Sequence, residues 1–252
     1  MCFILIGINA NTRYPFVIAA NRDEYHARAT APAQFWSDYP DLYAGKDEEA
    51  GGTWMGLTRY GRFAALTNFS EPQSHSGPRS RGQLVLEYLL GSGDADQYLT
   101  VQRPNFGQYG GFNLLVGECR TSLHWASNRH SNKRKLSSGV FALSNHLLDT
   151  PGSKISNGKM QFSKVLSSSF SQESLFDLLR DETPAEELST QVSHASRIAR
   201  LRSSVFVRSA EYGTRSSTVI TIGRDDVVRY SERSFDSVGV QQATAAIEFK
   251  LL

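Results

Sequence analysis

Two short apolar segments near the start of the chain constrain the fold more than any other feature. Residues 2–8 read Cys-Phe-Ile-Leu-Ile-Gly-Ile, so a strand there is apolar on both of its alternating faces. Such a strand is stable only when other layers cover it on both sides. Residues 16–20, Phe-Val-Ile-Ala-Ala, repeat this character after turn-forming residues. The two segments predict a hairpin in the middle of a sheet.

The register of this hairpin brings polar residues to the start of the chain. If the loop is centred near Thr12, residues whose numbers sum to about 24 face each other, with a slack of roughly two residues. Cys2 is then expected near Arg22, and the quartet Asn21-Arg22-Asp23-Glu24 lies beside the N-terminus. Because charges buried beside a small residue are costly, this quartet needs a functional explanation.

The rest of the chain alternates between strand and helix patterns. Period-two spacing and turn residues predict hairpins and single strands over residues 53–67, 112–127, 140–143, 218–231 and 243–250, the last at a sheet edge. Helical spacing follows a Ser80 cap and is also found over residues 94–102 and, in pieces, 154–199. Residues 26–52 and 69–80 are predicted as loops. This order indicates one α+β domain spanning residues 1–252, with two mainly antiparallel sheets packed together and flanked by helices.

Composition excludes several classes of protein. Hydrophobic residues make up 40% and charged residues 21% of the 252 residues, the balance of a globular chain with a core. The formal charge of +2 gives no field that would recruit nucleic acid or an anionic membrane. The apolar run at 2–8 is too short to span a bilayer and lacks the flanks of a signal peptide. We therefore expect no nucleic-acid partner, no integral membrane segment and a cytoplasmic location.

The position of Cys2 changes its chemistry. A small residue after Met1 permits removal of the methionine, and the new N-terminus then carries both a thiol and an α-amine. With ordinary pKa values of about 8.5 and about 7.7–8.0, the amine can act as base for its own thiol near neutral pH. The alternative is an inert thiol at a strand end. Neither Cys2 nor Cys119 fits a disulfide framework or a metal motif, so we expect a reducing compartment and no metal.

Several motifs, occurring in order, resemble those of one known family. They are Met1-Cys2, the quartet 21–24, Gly-Gly-Thr-Trp-Met-Gly at 51–56, Thr-Asn-Phe at 67–69, Gly-Phe-Asn-Leu-Leu-Val-Gly at 111–117, Leu-Ser-Asn at 143–145 and Tyr-Gly-Thr-Arg-Ser-Ser-Thr-Val at 212–219. On these motifs the chain is identified as a member of the NRDE family of transport and Golgi organisation protein 2 homologues. The resemblance covers essentially the whole chain and is weakest over residues 154–205.

This family is more distantly similar to the cysteine N-terminal-nucleophile hydrolases, which include penicillin V acylases and bile salt hydrolases. That resemblance implies a four-layer αββα sandwich. It also implies a site in which Cys2 is nucleophile and base, Arg22 with Asp23 or Glu24 gives electrostatic support, Asn68 and Asn145 contact the oxyanion or amine, and Arg215 is a late cation. We further assign Asn21, Trp54 and Thr67 to the substrate pocket.

The quartet departs from the pattern of those hydrolases, which space their Arg and Asp three residues apart. Here Arg22 and Asp23 are adjacent, and neighbouring residues of a regular strand point to opposite faces. Two arrangements remain open. In one, Glu24 supplies the carboxylate on the face of Arg22. In the other, Asn21 and Asp23 face the site and Arg22 points away.

Two hypotheses about function follow from these residues. The first is an N-terminal-nucleophile hydrolase or acyl-transfer enzyme that cleaves a small amide, thioester or related acyl compound through Cys2, without a cofactor. The second is a non-catalytic binding or trafficking protein for haem or for lipid-like acyl metabolites. In that case Cys2 is a haem ligand, assisted by His26 or His146. The sequence leaves the substrate, the oligomeric state and the catalytic competence of the site open.

Overall fold

The hairpin at the start of the chain forms as the apolar pattern predicts. In the computed structural model, which describes residues 2–71, 77–184 and 203–252, strand β1 (Cys2–Ile8) pairs antiparallel with β2 (Phe16–Tyr25). Cys2 lies opposite Arg22, so the predicted register is confirmed. Ile4 enters one hydrophobic core and Phe3 enters another, so β1 is covered on both faces.

The other strands and the helices follow in chain order. The strands are β3 (Thr30–Trp36), β4 (Tyr39–Asp47), β5 (Met55–Thr58), β6 (Arg62–Asn68), β7 (Phe112–Glu118), β8 (Ser122–Ser127), β9 (Arg134–Leu136), β10 (Gly139–Leu143), β11 (Tyr212–Ile222), β12 (Val227–Phe235) and β13 (Gln241–Lys250). The α-helices of the described residues are α1 (Gly82–Leu90), α2 (Ala95–Gln102), α3 (Ser153–Leu166) and α4 (Gln172–Leu179), and a 3-10 helix covers Arg103–Gln108.

These elements make a four-layer αββα sandwich. One sheet has the strand order β10-β1-β2-β11-β12-β13, the other runs from β3 to β9 in sequence order, and all neighbours are antiparallel. One core fills the space between the sheets. Helices α3 and α4 cover the outer face of the first sheet, and α1 and α2 cover that of the second. The predicted fold class is therefore confirmed, including β13 at a sheet edge.

The prediction of a loop over residues 26–52 was wrong, because β3 and β4 occupy most of it. Strand β3 lies at a sheet edge, contains Pro32 and has two irregularities in its register with β4. Proline is tolerated at an edge, where its missing N–H breaks no ladder hydrogen bond. The apolar alternation that identifies a central strand is therefore weak here.

Two helix predictions need correction or restriction. Helix α1 begins at Gly82, and its cap position is held by Arg81 without a side-chain cap, so Ser80 is not the capping residue that we expected. The helical stretch predicted over 154–199 includes α3 and α4, but residues 185–199 lie outside the described residues. Crossing a bilayer would take a longer and more apolar helix than any in the described part of the chain.

A buried carboxylate joins the two sheets beside the second half of β2. Glu232 of β12 is 2% exposed, and its Oε1 accepts a hydrogen bond of 2.8 Å from the backbone N–H of Ala33 in β3. The hydroxyl of Thr218 donates to Oε2 over 3.3 Å. Burial raises the pKa of the Glu232 carboxyl, although these hydrogen bonds and the charge of Arg22 oppose the shift.

We expect Glu232→Gln to make the free energy of unfolding less dependent on pH. A carboxyl with a raised pKa in the folded state binds its proton more tightly there, so wild-type stability is lost as the pH rises from the ordinary pKa to the raised one. In that window the free energy of unfolding should fall by up to about 1.4 kcal/mol per pH unit relative to Glu232→Gln. Urea denaturation of both proteins across a pH series measures this difference, and parallel profiles would contradict it.

Candidate functional site

A cleft of about 460 Å³ opens where β1 begins, at the end of β2 and β6 and the start of α1. Cys2 lines it, together with Trp54, Asn68 and Asn145. Charged side chains make up much of the remaining wall, namely Arg22, Asp23, Glu24, Arg28, Asp47, Glu71 and Arg81. Three of the four polar residues predicted beside the N-terminus, Arg22, Asp23 and Glu24, therefore line an accessible space.

Cys2 is a partly exposed thiol at the edge of this cleft. Burial raises the pKa of its thiol, and the negative charges of Asp23 and Glu24 act in the same direction, whereas Arg22 opposes them. At neutral pH the resting sulfur is therefore protonated. Such a thiol becomes a strong nucleophile only when a base removes its proton.

Arg22 is held rigidly beside Cys2. Its guanidinium carbon lies 4.2 Å from the centroid of the Trp54 ring, and Nη1 donates to the Thr30 hydroxyl over 3.3 Å. The Trp54 ring packs against Gly45, where a Cβ atom would collide with it. Glycine at position 45 thus lets the indole lie under the cation, an arrangement that stabilises a guanidinium.

The two adjacent carboxylates of β2 lie on different faces of the strand, and both reach the cleft. Glu24 shares the cleft face with Arg22, and its Oε1 accepts a hydrogen bond from the N–H of Tyr25 over 2.9 Å. Asp23 reaches the cleft margin from the helix-facing side, where the Thr214 hydroxyl donates to its Oδ1 over 2.7 Å. Arg22 does not point away from Cys2, and Glu24 lies on its face.

A half-buried lysine accompanies Asp23 on the helix-facing side. Lys154 of α3 has its Nζ 5.3 Å from the centroid of the Phe3 ring. Burial lowers the pKa of Lys154, while the carboxylate of Asp23 and the thiolate form of Cys2 oppose that shift. The same burial raises the pKa of Asp23, and Lys154 opposes it. The lysine and the aspartate thus compensate each other close to the start of β1.

The two asparagines of the cleft differ in the hydrogen bonds of their side-chain amides. The side-chain amide of Asn145 donates to the backbone carbonyl of Asn68 over 2.7 Å, which ties the end of β6 to the chain after β10. In the described ranges the side-chain amide of Asn68 has no hydrogen-bond partner, and Asn68 lines the cleft. Asn68 therefore has free donors for a bound molecule, whereas Asn145 holds the strand end in place.

Three predicted site residues make contacts outside the cleft wall. The Asn21 amide donates to the carbonyls of Leu179 and Val205 over 2.8 and 2.9 Å, because Asn21 lies on the helix-facing side of β2. The Thr67 hydroxyl is buried and donates to the Ser144 carbonyl over 2.6 Å. These two residues hold segments together and do not line the substrate pocket to which we assigned them.

Arg215 is the third predicted site residue that lies outside the cleft wall, and a β-bulge determines its position. Between Thr214 and Ser216 the register of β11 against β2 shifts, so Arg215 is the extra residue. A bulge re-aims a side chain out of the regular alternation. The Arg215 guanidinium donates to the carbonyls of residues 25, 26 and 28 over 2.9–3.1 Å. It supports the turn after β2 and does not line the cleft as a free cation.

The sequence pattern missed other charged residues of the wall. Arg28 donates to Asp47 over 2.8 and 3.0 Å, and this pair became recognisable only once β3 and β4 were known as strands. Glu71 lies within the segment 69–80 that was predicted as a loop, Arg81 directly follows that segment, and no sequence pattern marks either residue. Within the described residues no group of three His, Cys, Asp or Glu side chains could hold a metal ion.

A family model and several known proteins are similar to this chain over most of its length. A family model described as Transport and Golgi organisation 2 matches residues 1–237. The Transport and Golgi organization 2 homolog of Mus musculus is 32% identical over 275 residues, which cover 100% of this chain and 99% of the mouse protein. Transport and Golgi organization protein 2 of Drosophila melanogaster is 25% identical, and the match covers 93% and 92% of the two chains.

Two solved structures with a similar fold are a penicillin V acylase and a conjugated bile acid hydrolase. Penicillin V acylase from Agrobacterium tumefaciens matches 98% of this chain and 86% of its own with a TM-score of 0.57 and 12% identity. The C2A mutant of conjugated bile acid hydrolase from Clostridium perfringens matches 99% and 92% with a TM-score of 0.53 and 8% identity. At these identities the likeness establishes a shared fold.

Proposed function

The chain belongs to the Transport and Golgi organisation 2 family and has the fold of the N-terminal-nucleophile hydrolases. From this premise we propose that Cys2 hydrolyses or transfers the acyl group of a small amide, thioester or related compound. The observation that carries the proposal is the position of Cys2, which lies opposite Arg22 in a cleft at the start of a central strand.

The first step needs a free N-terminal cysteine. After removal of Met1, the unprotonated α-amine of Cys2 takes the proton of its own thiol, which forms a thiolate and an α-ammonium group. This internal base offsets the raised pKa of the Cys2 thiol. The thiol must also stay reduced, so we infer a reducing compartment such as the cytoplasm.

The thiolate then attacks the acyl carbonyl carbon. A carbon–sulfur bond forms, and the carbonyl π electrons move to the oxygen, which becomes an oxyanion. The free amide of Asn68 is our candidate donor to that oxyanion, since the cleft holds it without a partner in the part of the chain that the structure describes. Asn145 positions Asn68 through the 2.7 Å hydrogen bond to its backbone carbonyl.

Collapse of the oxyanion breaks the bond between the carbonyl carbon and the leaving amine or thiol, which takes a proton from the α-ammonium group. Water, activated by the same amine, then hydrolyses the acyl-enzyme, or another acceptor takes the acyl group. Arg22 favours the thiolate electrostatically. Asp23 and Glu24 both line the cleft and are our two candidates for the carboxylate that orients the α-ammonium group.

Two of the structural relatives act on acyl compounds by name, as a penicillin V acylase and a conjugated bile acid hydrolase. The alternative of a haem or lipid-like ligand would need a largely apolar cavity, as most cofactor sites provide. The charged wall of this cleft favours a small polar acyl compound over such a ligand.

The test is mass spectrometry of the purified protein before and after limited iodoacetamide treatment at neutral pH. We expect Met1 to be absent and Cys2 to be the labelled cysteine. An otherwise identical protein with an uncleaved N-terminal extension is the matched control, because it keeps the Cys2 thiol and lacks its α-amine. Cys2 should react at least about fivefold faster without the extension.

The buried Cys119, whose pKa burial raises to about 12, reports in the same experiment on any unfolding. An added acyl thioester should leave its acyl mass on Cys2. Retained Met1, or equal labelling rates of Cys2 with and without the extension, would contradict the proposal.

A further inference from the structure

Two guanidinium groups of the cleft have no carboxylate partner among the described residues. Arg28 pairs with Asp47 and Glu49, and Arg129, outside the cleft wall, pairs with Glu71. Arg22 and Arg81 form no ion pair of this kind in the same ranges. A cation enclosed by protein is usually paired, so a cation left unpaired in a cleft is available to a bound anion.

Arg81 is the more accessible of the two for a ligand. Its Nη1 donates to the carbonyl of Gly111 over 3.1 Å, which leaves the other N–H groups of the guanidinium without a partner in the described segments. Arg22, in contrast, is stacked on Trp54 opposite Cys2. Gly82, the first residue of α1, also lines the cleft, so the positive end of that helix lies at the same wall.

Arg81 also lies within electrostatic range of the nucleophile. Burial lowers the pKa of its guanidinium, and the carboxylates of Glu24 and Glu71 and the thiolate form of Cys2 oppose that shift. Glu24 is beyond ion-pair distance from Arg81, and its Oε1 accepts the N–H of Tyr25. Arg81 is therefore the cation of this cleft that is best placed to bind a ligand beside Cys2.

We propose that Arg81 binds a carboxylate, or another anionic group, of the acyl compound whose carbonyl is attacked by Cys2. The planar guanidinium can form two parallel hydrogen bonds to a carboxylate, which fixes both the position and the orientation of the substrate. The substrate class is thereby an anionic acyl compound. This assignment rests on the proposed function at Cys2, but the anion site itself can be tested without turnover.

The first test compares alkylation of Cys2 by iodoacetate and by iodoacetamide. Both reagents form a carbon–sulfur bond and release iodide, and they differ in one negative charge. The ratio of the two rate constants, corrected for the ratio in the denatured protein, measures the preference of the cleft for an anion. We expect Arg81→Gln to lower this ratio about tenfold, and Arg81→Lys to lower it less because the charge remains.

Arg79→Gln is the matched control for this experiment. Arg79 lies two residues away and forms an ion pair of 2.6 Å with Glu87, so its loss changes the net charge by the same amount. The ratio should stay within about twofold of wild type in Arg79→Gln. If Arg79→Gln and Arg81→Gln changed the ratio equally, the effect would come from the net charge of the protein and not from an anion site at Arg81. That result would overturn the proposal.

The second test measures binding of glutarate and of its neutral diamide, glutaramide, by thermal shift in Cys2→Ala, which has no nucleophile. Stabilisation by glutarate alone, lost in Cys2→Ala combined with Arg81→Gln, would support the anion site even if no turnover were found. Equal or absent shifts for the two compounds would overturn it. That result would leave a Cys2 enzyme for neutral acyl compounds intact, so the failures of the two proposals can be told apart.

Discussion

Replacing Cys2 with alanine should lower turnover of acyl substrates by at least about 10³-fold while the free energy of unfolding stays within about 1 kcal/mol of wild type. The loss is large because the thiol sulfur is the proposed nucleophile that forms the acyl-enzyme. The effect on stability is small because Cys2 is partly exposed at the start of β1. Alanine also permits removal of Met1, so the α-amine is retained.

The measurement uses acetyl and glutaryl p-nitroanilides and the matching thioesters, together with urea denaturation. Cys119→Ala is the matched control, because Cys119 is 6% exposed and packs in the core between the sheets. That variant should keep turnover and lose about 1–2 kcal/mol of stability. Turnover that survives in Cys2→Ala would rule out a Cys2 nucleophile for the substrate concerned.

The central hairpin could be predicted from the sequence because its signal is strong and local. Strands that are apolar on both faces must be covered on both sides, and the short loop between them sets their register. Together these features place Cys2 opposite Arg22. The strands β3 and β4 gave no comparable signal, since an edge strand with Pro32 and irregular pairing lacks clean alternation. The position of Asp47 in the cleft wall could therefore not be predicted from the sequence.

The side-chain roles were harder to predict than the fold. Residue type and motif directed attention to Asn21, Thr67 and Arg215, but the direction of each side chain depends on its strand face or on a bulge. Arg81 shows the opposite case. No local pattern distinguishes this arginine from Arg79, and only the packing of α1 against the strands brings it to the cleft wall.

Alanine at position 21 should lower the free energy of unfolding by roughly 3 kcal/mol or more, although Asn21 lies in the family motif beside Cys2. The Asn21 amide donates to the carbonyls of Leu179 and Val205, and its Oδ1 accepts the Ser217 hydroxyl over 2.6 Å. Asn21 is 1% exposed, so its removal leaves two buried carbonyls and a hydroxyl without this partner. Each such group costs about 1–3 kcal/mol.

Asn68→Ala is the matched control for this prediction, because it removes the same chemical group from the cleft wall. The Asn68 amide has no hydrogen-bond partner among the described residues, so we expect a change in stability below about 1 kcal/mol. If Asn68 donates to the oxyanion, turnover should fall about 10²-fold in Asn68→Ala. In Asn21→Ala, turnover per folded molecule should stay near wild type. Equal losses of stability in the two variants, measured by urea denaturation, would show that Asn21 does not hold α4 and the segment at Val205 onto β2.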